Sequence, residues 1–301
     1  MAWRGGGERA FVRALSNPAL SRLMARLADA RLPGPLLRAL LRTYVRAYHV
    51  DLSEAREALQ DYPTFNAFFT RELRPGARPI ASEKGLVVSP SDSRLQSFGR
   101  LGPDARLDQI KGRSYTLAAL LGDAGDAAPF VTGVHATLYL SPSMYHRVHF
   151  PVDGRVVAWR YLPGRLYPVN AMAVRHVEGL FTVNERVVVT IETDDVGTVG
   201  VVMVGATNVG RMTLSFAGLS TNAGGPPVAV RLAQPLAVRR GDELGAFNLG
   251  STVVLLASEP ALEPAAVQEG QIVRMGEPLW RTPRRTSADA RPALVKSDRG
   301  S

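Results

Sequence analysis

FTVNERVVVTIETDDVGTVGVVMVG, residues 181–205, is the stretch that decides the fold. Val187, Val188, Val189 and Ile191 are β-branched, and such side chains crowd a helix but pack well on a pleated strand. Asp194, Asp195 and Gly197 interrupt the apolar run, so the pattern predicts strands over 181–193 and 198–205. The same pattern continues outward, with further strands expected over 155–162, 211–216, 228–232 and 251–257 between glycine, proline and asparagine turns. EGQIVRMGEPLWR, residues 269–281, sets short apolar pairs between glycines, as at the corners of small folded-over β-sandwiches. Beyond it the sequence loses periodicity and gains proline and polar residues, which predicts a disordered tail over 283–301.

The front of the chain is built differently. Nine arginines stand against Glu8 and Asp29 in residues 1–50, so seven of the chain's nine net positive charges lie there. Asn17 and Pro18 form a helix start, with Asn17 as cap and Pro18 where its missing amide proton costs nothing. Leu20, Leu23, Met24 and Leu27 then share one face opposite Arg22, Arg26 and Asp29. After the Pro33-Gly34-Pro35 break, a second helix over 36–48 sets Leu36, Leu37, Leu40, Leu41, Tyr44 and Tyr48 against Arg38, Arg42 and Arg46. Such stripes pack on a protein's own core or lie in a membrane interface, and the arginine bias favours an anionic lipid surface. A third helical stretch, 53–73, is expected to hand the chain to the main body.

Composition removes several classes. There is no cysteine, which excludes disulfides, thiolate nucleophiles and cysteine-bound zinc, and no metal site is expected from the five histidines. No apolar run is long enough to span a membrane, and MAWRGGGERA is no secretory signal, so neither a spanning segment nor export is expected. Glycine-rich phosphate loops are absent. The basic charge lies on amphipathic helices without interleaved aromatic strands, so no nucleic-acid partner is expected.

Three motifs could carry chemistry. FNLGSTVVLL, residues 247–256, places Gly250 and Ser251 directly ahead of an apolar β run, a pattern that an ordinary turn also gives. YLSPSMYHRVHFP, residues 139–151, holds His146 and His149, natural acid–base groups near neutral pH or a surface pair without a role. VVSPSDSRL, residues 87–95, holds Asp92, which could equally shape a turn. Together Asp92, His149 and Ser251 could form a carboxylate, imidazole and hydroxyl relay.

HRVH followed by FPVDG, GLFTVNERV, VGATNVGRM and LGST at 249–252 resemble, in order from about Phe65 to Trp280, the bacterial phosphatidylserine decarboxylases. The resemblance implies an autocatalytic cut between Gly250 and Ser251, leaving a β chain of residues 1–250 and an α chain of 251–301. It further implies that Ser251 becomes a covalent pyruvoyl group and the Schiff-base site for phosphatidylserine. Asp92, His149 and Ser251 fall on the family's self-cleavage triad, and His146 on the histidine of the decarboxylation step. Ser93 stands where the family usually has glycine. Peripheral attachment to the cytoplasmic face of the cell membrane and a homodimer of cleaved heterodimers are implied as well. The expected class is α+β, with amphipathic helices in a membrane-associating region, 1–75, before a mainly β, barrel- or sandwich-like catalytic domain, 76–282.

A serine hydrolase would use the same residue types but needs a G-x-S-x-G elbow, which the chain lacks. A non-enzymatic membrane-binding module, or a pyruvoyl decarboxylase of small amino acids, are the other readings; carbon dioxide release from phosphatidylserine separates them.

Overall fold

Valine-rich segments too apolar for a surface and too short for long helices pair into one large antiparallel sheet. The computed structural model describes residues 18–109, 113–169, 177–207, 211–222, 225–248 and 251–283. Its strands are β1 (Leu86–Val88), β2 (Ser93–Arg100), β3 (Arg106–Gln109), β4 (Arg113–Thr116), β5 (Val134–Leu140), β6 (Arg147–His149), β7 (Gly154–Leu162) and β8 (Arg186–Glu192). Next come β9 (Thr198–Gly205), β10 (Arg211–Leu214), β11 (Val228–Val238), β12 (Glu243–Asn248), β13 (Ser251–Ala257), β14 (Glu263–Pro264), β15 (Ile272–Val273) and β16 (Pro278–Arg281). Eight strands run in the order β11-β7-β8-β9-β13-β5-β2-β15; two three-stranded sheets, β10-β12-β6 and β1-β16-β14, and the hairpin β3-β4 complete the body. The edge strands β11 and β15 do not pair with each other, so the body is sandwich-like rather than a closed barrel.

β13 lies near the middle of the large sheet, between β9 and β5, and every residue from Ser251 to Ala257 is buried. Withdrawing a valine or leucine from water contributes about 1.5–3 kcal/mol, so this strand anchors the core. The segment 269–281 forms a corner: β15 joins β2 while β16 joins β1 and β14 in another sheet.

Helices α1 (Pro18–Asp29), α2 (Gly34–Tyr48) and α3 (Phe65–Phe69) precede the sheets. Asn17 lies outside the described residues, so its capping role does too. The 53–73 helix is not formed as expected, for only Phe65–Phe69 is helical. Pro63 disfavours helical backbone at Tyr62, and the Thr64 hydroxyl accepts from the Ala67 amide at 3.1 Å to start the short helix afresh.

The 181–193 strand is also shorter than expected, since Leu180–Val183 is one helical turn. Gly179 begins it at a φ of 58°, and the Asn184 side chain bonds the Tyr167 amide and the carbonyls of Tyr167 and Gly205. β11, conversely, runs on through Pro235. It tolerates the lost donor because it is an edge strand with an irregular register between Arg231 and Leu236. The disordered tail expected after residue 282 falls, from residue 284 on, outside the described residues.

Candidate active site

β5, β12 and β13 converge on one end of the large sheet. Ser251, first residue of β13, is paired with Leu140 at the end of β5 and with Gly205 at the end of β9. Beyond Leu140 the chain forms the loop 141–146 and then β6, which pairs with β12; β12 ends at Asn248, three residues before Ser251. The Phe247 amide donates to the His146 carbonyl at 3.0 Å, fixing the histidine segment against the strand that leads to the serine. Gly250 lies outside the described residues.

Ser251 is fully buried, and its Oγ has no hydrogen-bond partner among the described residues; the same holds for Thr252 Oγ1 and His146 Nε2. An enclosed polar group left unbonded costs about 1–3 kcal/mol. Thr252 follows Ser251 in the same strand and so points to the opposite face of the sheet; the unbonded Ser251 Oγ and His146 Nε2 suit a site that must keep reactive atoms uncommitted.

His149 ends β6 whereas His146 lies in the loop just before it, and the two have different surroundings. His146 Nδ1–H donates to the Met144 carbonyl at 2.9 Å, which leaves Nε2 as a bare acceptor, and its ring lies against Phe69 with centroids 4.0 Å apart. Burial, reinforced by the Arg71 charge, pulls its pKa down to about 3. His149 Nδ1–H donates to the Gly241 carbonyl at 2.8 Å, so Nε2 accepts from the Tyr145 hydroxyl at 3.0 Å. Burial lowers its pKa, against the Gly241 hydrogen bond and the Glu243 charge, which raise it.

Asp92 is brought close to His149 through the backbone, because the His149 amide donates to Pro90 O at 2.8 Å. Its carboxylate, however, is held by Arg78, with Nε at 2.8 Å and Nη2 at 2.5 Å, and by the Met275 amide at 3.0 Å. No hydrogen bond joins Asp92 to His149 or either histidine to Ser251. Ser93 opens β2 without a positive φ, so this backbone does not require glycine at that position.

Tyr145, Gly241, Phe69, Arg71 and Arg78 were not singled out by the sequence. Tyr145 lies inside the histidine motif and could have been found there. The others come from distant segments, and only the fold brings them to the site.

The family model described as phosphatidylserine decarboxylase matches residues 65–281. A phosphatidylserine decarboxylase proenzyme of Anaeromyxobacter sp. (strain K) is 46% identical over 283 residues, covering 90% of this chain and 98% of the relative. Proteins of the same name from Myxococcus xanthus (strain DK1622) and Shewanella frigidimarina (strain NCIMB 400) are 39% and 40% identical over 268 and 271 residues. These cover 89% and 87% of this chain and 95% and 93% of the relatives.

Proposed function

The chain belongs to the phosphatidylserine decarboxylase family, and on that premise we propose that Ser251 serves first as the nucleophile of self-cleavage and afterwards as a pyruvoyl group. The protein is a self-processing decarboxylase of phospholipid biosynthesis that converts phosphatidylserine to phosphatidylethanolamine and carbon dioxide. The observation that carries the Ser251 assignment is its buried, unbonded hydroxyl at the head of a central strand. A serine kept for structure would bond that hydroxyl.

In the proposed maturation, Oγ attacks the Gly250 carbonyl and the amide becomes an ester. His149 takes the hydroxyl proton and gives it to the Ser251 nitrogen as the Gly250 C–N bond breaks. Removal of the Ser251 α-proton expels the Gly250 carboxylate; the dehydroalanine left behind tautomerises and takes up water, releasing ammonia and leaving the pyruvoyl group. The fit of Ser251 to this group rests on its orphaned oxygen and its first place in β13. Once formed, the group supplies a ketone that takes up the substrate amine and an electron sink for the charge left by departing carbon dioxide.

The chain's own residues supply the proton transfers. His146 is neutral near pH 7 and its Nε2 is unbonded; burial makes it a weak base, so in the proposed turnover the negative charge of the bound substrate raises its basicity before Nε2 takes a proton from the substrate amine and returns it to carbon. Asp92 acts on His149 by its field and by anchoring the 90–93 turn, since Arg78 occupies the carboxylate. Intact mass of the purified protein tests the scheme. Two fragments are expected, 1–250 and 251–301, the smaller lighter by one ammonia than a serine-started chain. A full-length chain with an ordinary serine at 251 would sink it.

The Tyr145 hydroxyl occupies the lone pair that His149 needs as a base. Tyr145→Phe should therefore speed first-order self-cleavage about 2- to 10-fold, the equivalent of one ordinary hydrogen bond. A time course on gels after fresh synthesis reads this; slower cleavage would make Tyr145 a proton relay instead.

We also propose that α1 and α2 seat the enzyme peripherally on the anionic cytoplasmic face of the cell membrane. No helix among the described residues is long and apolar enough to cross a membrane. Leu37 and Leu41 pack inward, but Leu23, Leu27, Leu36, Leu40 and Tyr48 are exposed. These make up five of the nine exposed large apolar residues among the described residues, in 26 positions, and Arg22, Arg26, Arg38, Arg42 and Arg46 stand exposed among them. Leu36→Ser with Leu40→Ser should weaken sedimentation with phosphatidylglycerol vesicles at least about tenfold. Unchanged vesicle binding would assign the stripe another role. A homodimer of cleaved heterodimers is the proposed assembly, and sedimentation equilibrium checks it.

A further inference from the structure

A cleft of about 220 Å³ opens beside the histidine loop, lined among others by His49, Arg71, Arg78, Asp92, Tyr145 and Arg274. Three arginines face it. Arg78 pairs with Asp92 and Glu54, and Arg274 with Glu54. Arg71 has no carboxylate partner among the described residues, although it is only 4% exposed.

The guanidinium of Arg71 is held at one corner. Nη2 donates to the carbonyls of Ser143 at 3.2 Å and Met144 at 3.4 Å, and the Phe68 ring lies 5.5 Å away. Among the described residues Nε is enclosed and unpartnered, and Nη1 makes no hydrogen bond. The Met144 carbonyl that receives Nη2 also receives His146 Nδ1–H, so cation and imidazole share one acceptor. A desolvated cation without an anion is unfavourable, and a planar fork with free donors matches phosphate or carboxylate oxygens.

We infer that Arg71 binds the phosphodiester of the phosphatidylserine head group in this cleft, which makes it a specificity-determining residue of the reaction proposed above. The substrate carries two anions, and the reaction distinguishes them. The carboxylate loses its charge as carbon dioxide leaves, so a fixed cation on it would stabilise substrate over transition state. The phosphodiester keeps its charge throughout. Topology agrees, because His49 of the cleft directly follows Tyr48, the exposed end of the apolar stripe of α2. Acyl chains can stay with that stripe while the head group enters.

The test uses the full chain with Arg71→Met and Arg71→Lys. Intact mass comes first, and both variants are expected to cleave as wild type does. In detergent micelles, Arg71→Met should raise KM for phosphatidylserine about 10- to 100-fold with kcat within about 3-fold, the range of a charge-assisted contact, and lysine should recover part of it. Inhibition by glycerophosphoethanolamine, which has the phosphodiester but no carboxylate, should weaken by the same factor; inhibition by free serine should not change. Calorimetric binding of glycerophosphoethanolamine to Ser251→Ala, with and without Arg71→Met, keeps the inference separate from the pyruvoyl reading, since that chain makes no pyruvoyl. Should Arg71→Met fail to accumulate, Arg71→Lys carries the same comparison with a smaller factor. Unchanged KM and inhibition, a loss confined to serine, or a fall in kcat alone would overturn the assignment; the last would make Arg71 only a support for His146.

Discussion

Ser251→Ala is expected to remain one chain of 301 residues and to release no carbon dioxide from phosphatidylserine. Both losses follow from one atom, because without Oγ there is no attack on the Gly250 carbonyl and no precursor of the ketone. The usual objection to such a variant, that it fails by misfolding, has little force here. Ser251 is fully buried and its hydroxyl bonds nothing among the described residues, so alanine removes no hydrogen bond and opens little space. It also relieves an unsatisfied polar group worth about 1–3 kcal/mol, so the variant should be at least as stable as the uncut wild-type chain. Intact mass, denaturant unfolding and carbon dioxide trapping check the three parts. A cleaved Ser251→Ala chain, or one that still decarboxylates, would remove Ser251 from both roles.

The sequence made the β body legible where strands are long and buried. The predicted strand 251–257 is β13, and 198–205 is β9, because continuous valine and leucine runs leave few alternatives. It failed where local chemistry competes with propensity: at 181–183, where Gly179 and Asn184 impose a turn, and at 53–64, where Pro63 breaks a helical pattern. The chemistry divides similarly. Ser251, His146, His149 and Asp92 became candidates because their strings, each compatible with an ordinary turn or surface pair, resemble one family when taken together and in order. Arg78 and Gly241 did not, because their importance is a contact across 14 and 92 residues that no local pattern encodes. The relay itself shows the limit. Residue types suggested Asp92 bonded to His149, whereas in the fold Arg78 holds the carboxylate and Gly241 the imidazole.

His146→Gln should still cleave into 1–250 and 251–301, yet decarboxylate roughly 10²- to 10⁴-fold more slowly, the usual worth of a positioned acid–base group. Glutamine can keep the donor to Met144 O but cannot take and return a proton, so the substitution separates structure from proton transfer. Failure to cleave would place His146 in maturation instead. A second consequence concerns acid stability. Burial holds the His146 pKa at about 3, below its ordinary 6.5. Below pH 6.5 the unfolded chain therefore binds a proton that the folded chain refuses until about pH 3. Stability from this site is intact above pH 6.5 and falls as pH drops through that window, by up to about 1.4 kcal/mol per unit. Placing His146→Gln in the uncleaved Ser251→Ala chain keeps unfolding unimolecular. Its urea midpoint should lose less than that of Ser251→Ala alone between pH 7 and pH 5. Equal losses would mean that burial does not hold His146 neutral in the uncleaved chain.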